Sequence, residues 1–134
     1  LAVARLIPYI MRGTQLEFFV KRGVTQTQFL VLNAIRAYGR CSMSVLARDL
    51  HVSLPTVSGI VDRLVRAGYL DRRSQPEDRR QVIVELAPKA TAFLKDFEAV
   101  IRRRWEEALI TLDTHDLESF HGVMTKIRER LQTT

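Results

Sequence analysis

The chain has 134 residues, 46% apolar and 27% charged, enough for one domain with a substantial core and too few for two. Its formal net charge of +6 favours a polyanionic partner. The single cysteine, Cys41, excludes an intrachain disulfide. No run is apolar and long enough to span a bilayer, and no secretory or lipidation signal is seen, so a cytoplasmic protein is expected.

Ala2 to Val20 reads as an apolar helix carrying Val3, Leu6, Ile7, Ile10, Leu16, Phe19 and Val20, with Pro8 and Gly13 placed to kink it. Thr25 caps a second helix, Gln26 to Tyr38, with Phe29, Leu30, Leu32 and Ile35 facing inward. Cys41 then reads as a small, half-buried loop residue. Arg40 beside it is placed to lower a thiol pKa, but the position does not otherwise suggest a reactive cysteine.

Ser42 caps a short helix from Met43 to Leu50, in which Val45, Leu46 and Leu50 recur at helical spacing. His51 and Val52 form a turn. Ser53 caps the next helix, and Pro55 lies in its first turn, where a missing N–H is harmless. Val57, Ile60, Val61, Leu64 and Val65 form one apolar stripe. The opposite face carries Thr56, Ser58, Gly59, Asp62, Arg63 and Arg66. Small residues there allow close backbone approach, hydroxyls can reach base edges or phosphates, and a helix N-terminus attracts phosphate. Gly68 ends the helix.

A hairpin follows. Tyr69 to Arg73 reads as one strand and Gln81 to Leu86 as the other, with Val82, Val84 and Leu86 alternating against Ile83 and Glu85. The polar loop Ser74 to Arg80 joins them. Arg79 and Arg80 at its tip suit a narrow, electronegative minor groove, while Arg72 and Arg73 at its base suit phosphates. Pro88 opens a long helix to about Ile110 with Phe93, Phe97, Val100, Ile101, Trp105 and Leu109. Asp113 to Leu131 forms the last, with Leu117, Phe120, Val123, Met124, Ile127 and Leu131.

Helix, tight turn, helix and basic hairpin, in that order, can place one helix in a DNA major groove and a basic loop beside it. The segment resembles the winged helix-turn-helix of the MarR family of transcription regulators. The matching residues are Leu46-Ala47, Pro55-Thr56-Val57-Ser58, Val61-Asp62-Arg63-Leu64, Gly68-Tyr69-Leu70, Asp78-Arg79-Arg80 and Leu86-Ala87-Pro88-Lys89. Helices before and after stand where that family has them, so the resemblance covers essentially the whole chain. Ala87 and Ala90 depart from the family's usual threonine and glycine. Both lie at a helix entry rather than on the DNA-reading surface.

The expected fold is mainly α with a small β-hairpin wing: a single domain over 1–134. Residues 25–87 form the DNA-binding module, and 1–22 and 88–134 supply dimerisation helices. The terminal helices are too apolar to leave bare, and a two-fold homodimer would cover them, as the resemblance also implies. The expected DNA-binding residues are Ser42, Ser53, Pro55, Thr56, Ser58, Gly59, Arg63, Arg66, Arg72, Arg73, Asp78, Arg79 and Arg80. Asp78 would hold Arg80 in position. The expected partner is double-stranded DNA bearing a palindromic operator with half-sites ~10 bp apart. The resemblance further implies a repressor released by a small aromatic or phenolic effector, for which Tyr9, Phe29 and Trp105 are candidate pocket residues.

Other chemistry is thin. His115 and His121 are six apart and do not share a helical face, so no metal site is expected. His51 could bond a phosphate or simply be a solvated turn residue. Arg102, Arg103 and Arg104 wrap around their helix as a solvated surface. No phosphate loop, nucleophile elbow or cofactor motif is present, so no enzyme and no cofactor are expected. The alternative is an architectural module that grips DNA without choosing sequence, or one that contacts a protein.

Overall fold

The computed structural model describes residues 2–78 and 80–133, with side chains throughout except at 10–16. Among the described residues six helices and three strands run in the order α1 (Ala2–Arg22), α2 (Gln26–Tyr38), β1 (Arg40–Ser42), α3 (Met43–Asp49), α4 (Leu54–Arg66), β2 (Leu70–Ser74), β3 (Val82–Leu86), α5 (Pro88–Leu109) and α6 (Thr114–Gln132). The mainly helical class with a β-hairpin wing is as expected. The chain divides into two compact units, Leu1–Glu98 and Ala99–Thr134.

In the first unit, α2, α3 and α4 pack together on the sheet. Each begins with a hydroxyl cap. Thr25 accepts from the Gln28 N–H and Gln28 returns the bond to Thr25, while Ser42 and Ser53 accept from Val45 and Thr56. These bonds satisfy N–H groups that a first helical turn leaves free. Between α3 and α4 the chain turns on His51, whose φ of +54° is left-handed. Val52 N–H donates to Ala47 and His51 N–H to Arg48, so His51 holds the C′ position that usually falls to glycine. Gly68 (φ +82°) does the same job after α4. There Tyr69 N–H donates to Leu64 and Gly68 N–H to Val65.

The core is built from Val31, Leu32 and Ile35 of α2, Leu46 of α3, Val57, Val61 and Leu64 of α4, Leu70 and Val84 of the sheet, and Ala90, Phe93 and Leu94 of α5. Leu30, expected inward, is 49% exposed, and Val31 is buried in its place. The stripe of α2 is centred on Val31, Leu32 and Ile35, and Leu30 lies about 150° from that centre. Phe18, Phe19, Phe29, Phe93 and Phe97 form a cluster with ring centroids 4.6 to 6.4 Å apart.

The sheet has three strands, in the order β1-β3-β2. Strand β1 corrects the expected loop around Cys41. Arg40, Cys41 and Ser42 pair antiparallel with Glu85, Val84 and Ile83, and Cys41 is buried rather than half-buried. Ser42 thus closes a strand and opens a helix. In the second unit, α6 is capped by Asp113, which accepts from Asp116 at 2.8 Å, and Trp105 faces Phe120 with centroids 5.9 Å apart. No residue of α6 is buried.

Candidate nucleic-acid interface

Helix α4 separates its two faces cleanly. Val57, Val61 and Leu64 are buried, whereas Pro55, Thr56, Gly59, Arg63 and Arg66 are exposed. Gly59 has nothing within 4 Å of where a Cβ would stand, so its smallness serves no packing contact within the chain. The hydroxyls of Ser53 and Thr56 lie 2.8 Å apart. Both are exposed, so each keeps capacity for an outside partner.

A concavity of about 290 Å³ opens between the start of α3, the first half of α4 and the base of the wing. Ser42, Met43, Leu54, Ser58, Arg80 and Val82 are among the residues that line it. Ser42, Ser58 and Arg80, distant in sequence, thus come to one place. The tip of the wing is closed by its own bonds. Asp78 accepts the main-chain N–H of Arg80 through its carboxylate at 3.0 Å, and its carbonyl accepts from Gln81. Asp78 therefore fixes the backbone of Arg80 and leaves the guanidinium to other partners. Arg79 lies outside the described residues.

The arginines differ in what they already hold. Arg72 is bound to Asp62 of α4, which ties that helix to strand β2. Arg73 meets Glu85 of β3 at 2.8 Å while staying 72% exposed. Both were expected on phosphates; in this fold part of their charge is answered by carboxylates, Asp62 brought by helix–sheet packing and Glu85 by strand register. Arg66 reaches the carbonyl of Asp62, at 3.5 Å. Among the described residues Arg63 and Arg80 pair with no carboxylate. They are the cations best placed to meet DNA phosphates or base edges.

The three aromatic candidates have separate settings. Tyr9 is 77% exposed on α1. Phe29 belongs to the phenylalanine cluster, and Trp105 faces Phe120. Burial, followed by the negative charge of Asp49, pushes the Cys41 thiol above its ordinary pKa, opposite to the direction Arg40 alone would give. Among the described residues no group of three or more His, Cys, Asp or Glu side chains could hold a metal, and no helix is long and apolar enough to cross a membrane.

A model of the MarR family matches residues 24–82. The HTH-type transcriptional repressor YetL of Bacillus subtilis is 32% identical over 83 residues, 60% of this chain and 50% of that protein. The HTH-type transcriptional regulator YwoH of the same organism is 31% identical over 106 residues, 79% of this chain and 74% of that protein. The chain spans about half the length of the first of the curated relatives it matches. Among solved structures, YusO of Bacillus subtilis superposes with a TM-score of 0.82 at 22% identity, covering 96% of this chain and 90% of that one. That likeness shows a shared fold.

Proposed function

This chain belongs to the MarR family, and on that premise we propose that it is a dimeric, sequence-specific transcription repressor that binds a palindromic operator. Each subunit lays the exposed face of α4, from Ser53 to Arg66, into a major groove. Arg80 reaches the flanking minor groove from the wing. The observation that carries this reading is that one concavity is lined by both Ser58 of α4 and Arg80 of the wing. A hydroxyl, a guanidinium and a helix N-terminus converge there on one side of the module, which is what duplex recognition needs.

Residues 25–87 make up the DNA-binding module, and 1–22 with 88–134 make the dimer. Val3, Leu6 and Ile7 of α1 and Val123, Met124, Ile127 and Leu131 of α6 are exposed. That much apolar surface favours cover by a second copy. The protein acts in the cytoplasm, where its operator is. A small aromatic acid or phenol changes the spacing of the two reading helices, and affinity falls because both half-sites can no longer be met together.

Selection from random duplexes followed by footprinting tests the reading. A discrete palindrome with half-sites ~10 bp apart supports it. Uniform, salt-sensitive coating of any duplex would replace it with a non-specific architectural role.

A further inference from the structure

Two exposed apolar residues flank the cap of helix α4, Val52 just before it and Leu54 just after it. Val52 has a structural reason to be there. It stands at N′, and Val57 stands at N4, the spacing of a hydrophobic staple that sets the entry angle of a helix. Leu54 has none of that kind. It is the first helical residue, it remains 50% exposed, and it is four residues from Ser58 on the same side of the helix. Leu54 and Ser58 line the concavity that also takes in Arg80. Arg80, which lines the same concavity, makes the surroundings fit for phosphates, but a leucine gains nothing from phosphate.

One apolar group is available on the major-groove edges of DNA, the 5-methyl of thymine. We infer that Leu54 is a further sequence-reading residue and that it contacts a thymine methyl in each operator half-site. This inference rests on the DNA-reading role proposed above and deepens it. Ser58 and the arginines can distinguish bases by hydrogen bonding, whereas Leu54 distinguishes thymine from cytosine by an apolar contact with the methyl group.

The test uses the full chain and its selected operator. Thymines in a half-site are replaced one at a time by deoxyuridine, which removes only the methyl. Wild-type protein should lose about three- to tenfold in affinity at one thymine, the scale of one buried methyl group. Leu54→Ala should bind the unmodified operator more weakly and show less than a twofold response to the same replacement. Leu54→Met, which restores an apolar reach, should recover the response. Melting temperatures of both variants should stay near wild type, because the side chain is half exposed. If no deoxyuridine weakens wild-type binding, or if Leu54→Ala responds as wild type does, the inference is overturned while operator recognition stands. If wild-type protein does not distinguish its operator from random duplex, the DNA-reading role falls, and this inference falls with it.

Discussion

Lys89 donates from Nζ to the carbonyl of Ala67 at 2.8 Å, so the first turn of α5 closes the last turn of the reading helix. The same ammonium lies 4.5 Å from the centroid of the Tyr69 ring. A cation at a helix C-terminus satisfies a free carbonyl and opposes the negative end of the helix dipole. Lys89→Ala should therefore lower stability by about 1 kcal/mol. The change is read by urea unfolding; unaltered stability would show that the bond exchanges freely with water.

Arg80→Ala should weaken operator binding by about 1–3 kcal/mol, the range for one good contact to DNA. Asp78→Ala should weaken it less, since Asp78 orders only the backbone of Arg80. Binding isotherms at fixed salt rank the two. If Asp78→Ala proves the more damaging, tip geometry dominates over the guanidinium contact.

Gly59→Leu should abolish tight operator binding and leave the protein folded. The open space around Gly59 means the new side chain meets nothing within the chain, and leucine is the better helix former. Melting should occur at or above the wild-type temperature. A folded variant with wild-type affinity would place the groove on another face of the module.

His51→Gly should raise stability by about 0.5–1 kcal/mol. Relief of a left-handed conformation outweighs the greater freedom glycine gives the unfolded chain. Thermal unfolding and operator affinity should be measured together. A gain in stability with a loss of affinity would assign the imidazole to a phosphate.

The Cys41 thiol is pushed above its ordinary pKa by burial and Asp49. Alkylation of the native protein at pH 8 should be far slower than that of the unfolded chain. The folded state also holds this proton to higher pH than the unfolded state does. The stability this gives is complete below the unfolded thiol pKa and is lost as pH rises through the folded one. Cys41→Val should flatten that alkaline decline. An equal decline in the variant would assign it to other groups, Tyr38 among them, whose hydroxyl is raised by its bond to Asp49.

Sequence reading recovers what is encoded locally. The reading helix has its cap, its stripe from Val57 to Val65 and its terminating Gly68 all within sixteen residues, and the structure has each in place. Strand β1 is different. Three residues carry no readable alternation, and their partners lie more than forty positions away. The run Phe29-Leu30-Val31-Leu32 is apolar throughout, so its helical phase cannot be read until tertiary packing chooses a side. The ion pairs of Arg72 and Arg73 depend on packing and register, which composition does not reveal. The convergence of Ser42, Ser58 and Arg80 follows from β1 and was illegible for the same reason.

The division of α4 into a buried stripe and an exposed face has a consequence for how such a protein can change over generations. Thr56, Gly59 and Arg63 lie outside the core, and the buried stripe consists of other residues. Substitutions on the outer face thus escape the cost that core changes carry. On the proposed reading of that face, target preference and foldability are inherited through separate sets of positions on one helix. A duplicated copy can drift to a new operator while its scaffold stays under unchanged selection.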